Sequence, residues 1–169
     1  MAIERFLLPI RKLTEDKVPF VIVGGLAVVL HGHMRLTMDL DLAISLSNNN
    51  IKKLVNSLTE AGYVPRLPIS LNDFADQSTR EDWIKNKGMK ALNLWMPPDP
   101  FSSLDIMIDI PVDFNQLLSG SEKMLLEETE VHVASIEHLI LMKEKAGRDT
   151  DKADIIALKE IQRIKDEKE

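Results

Sequence analysis

The sequence predicts an α/β (α+β) fold in which a mixed sheet of about five strands is flanked by helices. Short runs rich in apolar and β-branched residues, typical of strands, recur at residues 20–23, 38–44, 89–96, 104–110 and 131–134. Between these runs, apolar residues recur three or four positions apart, as they do on the buried side of a helix. The chain has 169 residues, enough for one well-buried core, so we expect residues 1–169 to form a single domain.

The first half of the chain alternates helices and strands. An amphipathic helix is expected over residues 2–17, where Pro9 predicts a kink or a later start. A buried strand follows at residues 20–23, and a short apolar helix at residues 26–32. The next helix, over residues 51–61, presents an apolar stripe that we assign to core packing.

The second half begins with a segment that is harder to assign. Residues 65–79 contain two prolines and no long periodicity, so we expect a loop there, followed by a short helix over residues 80–86. Short helices are expected over residues 112–118 and 122–126. Two longer ones complete the chain, one beginning at Ser135 and a final one over residues 151–168, and they form the C-terminal helices of the expected domain.

Composition excludes several classes of protein. The chain has no cysteine, which removes disulfide frameworks and thiolate metal sites and fits a cytoplasmic location. Its longest apolar run falls well short of the roughly 20 residues of a membrane-spanning helix. The formal net charge of −6 argues against binding a long nucleic acid. A modest basic cluster is interpreted as solvated surface: Arg80, Lys85, Lys87 and Lys90.

Two glycines follow the first strand directly. Gly24 and Gly25 lack a Cβ, so the backbone can turn sharply and approach a ligand closely. A helix that begins at such a turn points backbone N–H groups and a partial positive charge outward, which suits a phosphate group.

Two aspartates lie on the second predicted strand. Asp39 and Asp41 are two positions apart, so on a strand both project from the same face, about 7 Å apart along it. Leu40 and Leu42 then point to the opposite face, into a core. Carboxylate oxygens are the ligands that Mg²⁺ prefers, together with water and substrate phosphates. The pair therefore predicts half of a hard-cation site.

The segment that joins these features, GGLAVVLHGHMRLTMDLDL at residues 24–42, resembles the nucleotidyltransferase motif of the DNA polymerase β superfamily. That motif has Gly-Gly or Gly-Ser, a short helix, and Asp-x-Asp on the next strand. The sequence of this segment is most similar to those of the minimal bacterial nucleotidyltransferases and of the AbiE-type toxin group. The resemblance implies a nucleotidyltransferase fold.

The resemblance also implies a catalytic set of three carboxylates that holds two Mg²⁺ ions. Asp39 and Asp41 would be the first two. The third lies on a neighbouring strand, and Asp105 matches that position better than Asp109 does, although both fall on one face of the strand at 104–110. Without the resemblance, these aspartates are equally consistent with solvated strand residues.

Five residues are assigned to binding of the nucleoside triphosphate. Gly24 and Gly25 would contact its phosphates, and Arg35 and Thr37, between the turn and the carboxylates, are further candidates. Lys143 is carried over from the C-terminal part of the AbiE-type group, with a solvated helix lysine as the alternative. Other residues receive a structural interpretation: His31 and His33 as packed or capping residues, and Arg148 with Asp151 or Asp154 as an ion pair.

The implied function is Mg²⁺-dependent transfer of a nucleoside monophosphate from a nucleoside triphosphate to a hydroxyl acceptor on tRNA, a protein or a small molecule. The alternative is a non-catalytic nucleotide-binding or regulatory protein of the same fold in a toxin–antitoxin type system. A plain scaffold domain is a third, weaker hypothesis. The residues do not choose the acceptor or the base.

Overall fold

A computed structural model describes residues 3–169, which fall into two compact units. Unit 1 contains the described residues up to Phe20 together with Met38–Asp109. Unit 2 contains Val21–Thr37 together with Ile110–Glu169. Helices accompany a mixed sheet, which confirms the predicted class, but the described residues form seven strands rather than about five. The expectation of a single domain stays a prediction.

Helices and strands alternate along most of the chain. In chain order the elements are α1 (Glu4–Glu15), β1 (Phe20–Val23), α2 (Gly24–Leu30), β2 (Leu40–Ile44), α3 (Asn48–Glu60), β3 (Val64–Pro65), a 3-10 helix (Leu71–Ala75), α4 (Gln77–Lys87), β4 (Ala91–Met96), β5 (Asp99–Met107), α5 (Phe114–Ser119), β6 (Glu122–Leu126), β7 (Thr129–Val133), α6 (Ile136–Ala146) and α7 (Asp149–Asp166).

In unit 1, four strands lie in the order β3-β4-β5-β2. β2 runs parallel to β5, whereas β4 is antiparallel to both of its neighbours, so this part of the sheet is mixed. The apolar stripe predicted for the first helix is buried at Phe6, Leu7, Ile10 and Leu13. Pro9 lies inside α1, and the predicted first residue of that helix, Ala2, lies outside the described residues.

The segment predicted as a loop at residues 65–79 is more ordered than expected. It contains the 3-10 helix, which begins at a capping Ser70, and Asp76 then caps the start of α4 through the backbone N–H of Thr79. Arg80 on α4 is buried rather than solvated: its Nη1 donates a 2.6 Å hydrogen bond to the carbonyl of Phe74, and its guanidinium lies over the Phe74 ring. This contact joins α4 to the 3-10 helix.

In unit 2, three strands lie in the order β1-β7-β6, with β1 parallel to β7 and β6 antiparallel to it. The helix predicted over residues 122–126 is wrong, because this run is strand β6. Exposure alternates along this run, as it does along a strand: Lys123 and Leu125 are exposed, whereas Met124 is half-buried and Leu126 is buried. Between β6 and β7 the backbone of Glu127 takes a positive φ of 53°, which completes the tight turn.

None of the helices formed by residues 3–169 combines the length and the apolar character that crossing a membrane requires.

Replacing Arg80 by alanine is expected to lower the free energy of unfolding by about 2 kcal/mol, because the buried carbonyl of Phe74 loses its donor. Urea unfolding followed by circular dichroism measures the change. The matched control on the same helix is Lys85→Ala, whose side chain is 74% exposed; it should stay within about 0.5 kcal/mol of the wild type. Equal effects of the two substitutions would contradict a structural role for Arg80.

Candidate active site

Asp41 and Asp105 are neighbours across two strands of unit 1. Asp41 on β2 is in register with Asp105 on the parallel strand β5, so both side chains project from the same face of the sheet. Both are half-buried, whereas Leu40, Leu42, Leu104 and Ile106, which alternate with them, are fully buried on the other face. The pairing places two carboxylates side by side, as the resemblance implied for the third aspartate.

Asp39 lies just before β2, because the strand begins at Leu40 rather than at Met38 as predicted. It is close enough to influence Asp105. Burial raises the pKa of Asp105 above its ordinary value, and the negative charge of Asp39 raises it further. A hydrogen bond from Asn93 and the positive charge of Arg66 act in the opposite direction without cancelling the rise. Asp105 is therefore beside Asp41 by strand register and within the electrostatic influence of Asp39.

Asp109, the alternative third carboxylate, is placed differently. It lies beyond Met107, the last residue of β5, and its Oδ2 accepts a 2.7 Å ion-paired hydrogen bond from Nζ of Lys90. The register thus sets Asp105, and not Asp109, beside Asp41.

Asn93 is a site residue that sequence reasoning did not select. It lies on β4 in register with Asp105, and its Nδ2 donates a hydrogen bond to Oδ1 of Asp105. Asp41, Asp105 and Asn93 consequently form a row across three adjacent strands. The available signal was the alternation of β4, whose other side chains on this face, Ala91 and Trp95, are also half-buried.

The three carboxylates offer oxygen ligands of the kind that Mg²⁺ prefers. Among residues 3–169, no group of three or more His, Cys, Asp or Glu side chains is arranged to hold a metal ion. The donors are nevertheless all oxygens, as a hard cation requires. The pKa of Asp105 is raised mainly by burial and to a lesser extent by the charge of Asp39, and a bound cation would favour the ionised form of this carboxyl group. The chemistry of Asp39, Asp41 and Asp105 therefore fits a cation whose remaining ligands are phosphate oxygens and water.

The glycine turn lies in unit 2, where Gly24 has a φ of 65° that favours glycine and α2 begins at this residue, two positions earlier than predicted. A Cβ added to Gly25 would lie 2.7 Å from Oγ1 of Thr37 and 3.5 Å from Cζ of Arg35. Only glycine fits this close approach. The predicted nucleotide-binding residues Arg35 and Thr37 thus both lie against Gly25.

Lys143, the remaining predicted nucleotide-binding residue, is buried between two aspartates. Its Nζ donates to Oδ2 of Asp154 at 2.7 Å and to Oδ1 of Asp151 at 3.3 Å. The alternative of a solvated lysine is wrong, since only 5% of its side chain is exposed. Arg35 Nη1 donates to the same Oδ2 of Asp154, so one buried oxygen is shared by both cations. Sequence reasoning did not connect Arg35 with Asp154.

Arg148 forms the ion pair that the sequence predicted. Its Nε donates to Oδ2 of Asp151 at 2.9 Å, and its backbone N–H donates to the same oxygen at 3.1 Å. Burial alone would raise the pKa of Asp151, but these hydrogen bonds and the charge of Lys143 outweigh it, so the pKa lies below its ordinary value. The pair fixes the turn between α6 and α7.

His31 has the structural role expected of it. The ring is buried, and its Nε2 is 2.8 Å from the carbonyl oxygen of Ala134, the residue after β7. This contact ties the end of α2 to the strand that pairs with β1.

Comparisons with known proteins identify the fold. A family model described as "Nucleotidyltransferase of unknown function (DUF6036)" matches residues 3–99, and no curated protein matches the chain. A crystal structure of the lincosamide antibiotic adenylyltransferase LnuA with lincomycin bound is similar, with a TM-score of 0.62 at 18% identity, covering 94% of this chain and 96% of that chain. An antigenic nucleotidyltransferase-like protein from Paracoccidioides brasiliensis has a TM-score of 0.56 at 17% identity, covering 91% and 74%. These likenesses confirm the predicted nucleotidyltransferase fold.

Asp154→Asn is expected to lower the free energy of unfolding by about 3 kcal/mol, because it leaves two cations without their shared carboxylate. Chemical denaturation measures the loss. Asp149→Asn is the matched control, since it makes the same change on the same helix at a side chain that is 98% exposed; its effect should stay within about 0.5 kcal/mol. A loss no larger than in the control would contradict the assignment of a buried ion network.

The lowered pKa of Asp151 predicts a dependence of stability on pH. A carboxyl group whose pKa is lower in the folded chain stabilises the fold above its ordinary pKa of 3.8, and this contribution is lost as the pH falls through the folded-state value. The free energy of unfolding should therefore decrease between about pH 5 and about pH 3, and it should decrease less in Asp151→Asn. An unchanged pH profile in that variant would count against the role of Asp151.

Proposed function

Since the chain belongs to the family described as Nucleotidyltransferase of unknown function (DUF6036), we propose that it transfers a nucleoside monophosphate from a nucleoside triphosphate to a hydroxyl acceptor in an Mg²⁺-dependent reaction. The single observation that carries this proposal is the register of β2 and β5, which pairs Asp41 with Asp105. The match to the family includes the glycine turn, Asp39 and Asp41, and ends before Asp105.

The carboxylates of unit 1 are assigned to cation binding. Asp39, Asp41 and Asp105 would hold the first Mg²⁺, and Asp39 and Asp41 would hold the second. Bound Mg²⁺ activates a hydroxyl nucleophile and neutralises charge on the triphosphate and on its pyrophosphate leaving group. The residues themselves place the acceptor hydroxyl and the α-phosphate in line, which is the main task of a protein in phosphoryl transfer.

A second set of residues is assigned to the triphosphate. Gly24 and Gly25 allow the backbone to approach its phosphates, and Arg35 and Thr37 contact Gly25. Arg35, whose side chain is 28% exposed, is the cation that reaches the phosphates directly. Lys143 would act indirectly. It neutralises part of the charge of Asp154, so that Asp154 does not fully offset the positive charge of Arg35.

The acceptor is proposed at the level of its chemistry. It carries a hydroxyl group on a small molecule, a tRNA end or a protein side chain. The formal net charge of −6 disfavours a long nucleic acid. LnuA, which shares the fold, is a lincosamide adenylyltransferase, so lincosamides belong among the small molecules to test. Membership of the AbiE-type toxin group, and a cytoplasmic location, remain part of this proposal.

A second candidate function is a non-catalytic nucleotide-binding or regulatory protein of the same fold in a toxin–antitoxin type system. One observation favours it: within the described part of the chain, the carboxylates are not gathered into a group of three that could hold a metal. Binding of nucleotide without turnover would distinguish this candidate from the enzyme.

The test is incubation with each α-labelled nucleoside triphosphate and Mg²⁺, in the presence of total tRNA, lysate protein, or a panel of aminoglycosides and lincosamides. Label is expected in one acceptor fraction. Asp41→Asn should reduce it at least about 100-fold, equivalent to about 2.7 kcal/mol, because a metal ligand is lost while the side-chain volume is kept.

Asp105→Asn and Asp109→Asn form a matched pair within this experiment. The first should lose transfer as Asp41→Asn does, and the second should retain it, because Asp109 is paired with Lys90 away from the register of Asp41. Turnover retained in Asp41→Asn would overturn the enzyme assignment. Label absent from every fraction, with nucleotide still bound, would favour the regulatory candidate.

A further inference from the structure

Asn93 makes two side-chain contacts on the face that carries the carboxylates. Its Nδ2 donates one hydrogen bond to Oδ1 of Asp105 and another, at 3.2 Å, to Oγ of Ser103. Ser103 and Asp105 are two positions apart on β5, so both project towards the same face as Asn93. The two contacts use both hydrogens of the amide.

The amide has only one orientation that satisfies this arrangement. An ionised carboxylate accepts hydrogen bonds and donates none, so the atom of Asn93 that faces Asp105 must be the nitrogen. Oγ of Ser103 also accepts from this nitrogen, which agrees with the same orientation of the amide. Aspartate at this position would have the same shape, but it would place another negative charge against Asp105.

A carboxylate with one oxygen held by a neutral donor has a defined orientation. Without that bond, Asp105 could rotate about its terminal torsion, which is broad for this type of side chain. Because Oδ1 accepts from Asn93, Oδ2 is the oxygen left to ligate a cation beside Asp41, its partner in register on β2. Donors that orient metal ligands in this way typically change metal affinity by about 10–100-fold when they are removed.

We propose that Asn93 is a positioning residue that orients Asp105 for cation binding. This inference deepens the proposed function and rests on its assignment of Asp105 as a metal ligand. It assigns to β4, which carries none of the three carboxylates, a part in building the metal site.

The experiment measures binding of Mn²⁺ alone, as a spectroscopic substitute for Mg²⁺, by the electron paramagnetic resonance signal of the unbound ion. Asn93→Leu keeps approximately the size of the side chain and removes the donor. We expect its dissociation constant for Mn²⁺ to rise about 10-fold. Ser103→Ala is the matched control on β5; it keeps the bond from Asn93 to Asp105 and should change the constant less than about 3-fold.

Folding is monitored separately, by thermal unfolding of each variant, so that affinities are compared only at temperatures where all variants are folded. Should Asn93→Leu not fold, Asn93→Ser replaces it, since its shorter side chain remains polar. Asp105→Asn should abolish the same binding event.

The outcomes separate this inference from the proposed function. Weaker Mn²⁺ binding in the Asn93 variant, with little change in Ser103→Ala, supports the inference. Loss of binding in Asp105→Asn with wild-type affinity in the folded Asn93 variant overturns the positioning role and leaves the metal site in place. Equal binding by the wild type and Asp105→Asn overturns both, because Asp105 is then not a metal ligand.

Discussion

The parallel pairing of β2 with β5 is the constraint on which the candidate site of unit 1 depends. Four fully buried residues on the inner face, Leu40, Leu42, Leu104 and Ile106, hold the two strands in register. A slip of β2 by one position would turn Leu40 and Leu42 out to solvent and bury Asp41, which is charged. Apolar packing on one side of the sheet therefore determines which carboxylates meet on the other side.

In unit 2, buried ion pairs hold the candidate residues in place, as apolar packing does in unit 1. Lys143, Asp151 and Asp154 are almost fully buried, so their energy depends on complete mutual pairing. Through Asp154 this cluster also reaches Arg35, which contacts the glycine turn. A segment near the start of the chain, which we propose binds phosphate, is in this way held by helices near its end.

The local features of the fold could be predicted from the sequence, because they depend on near neighbours. The strand at residues 20–23, the glycine turn and the stripe of α1 follow from composition and periodicity. The prediction of a helix over residues 122–126 was wrong because a run of five residues that ends in two leucines fits either period, and pairing with β7 decides between them. Arginine usually lies on the surface of a protein, and the contact of Arg80 with Phe74, which explains its burial, is visible only in the structure.

The same limit applies to the candidate site. The spacing of Asp39 and Asp41 predicted a pair of cation ligands, and the family resemblance predicted Asp105 as the third. Asn93 was not selected from the sequence, and Asp154 was considered only as a partner of Arg148. The partner of Asn93 is set by strand register, and the pairing of Asp154 with Arg35 joins residues 119 positions apart. Nothing in the sequence around Asn93 distinguishes it from any other polar residue on an alternating strand.

The division of the chain into two units has a consequence for how the protein can be dissected. The chain passes from one unit to the other after Phe20, after Thr37 and after Asp109. No single cut therefore releases either unit whole, and a fragment that ends at Asp109 would carry the aspartates together with an orphaned piece of unit 2. Because each unit must unite distant segments, we expect folding to be governed by slow, long-range closure rather than by local structure. Recombination between relatives would have to exchange both chain segments of a unit together.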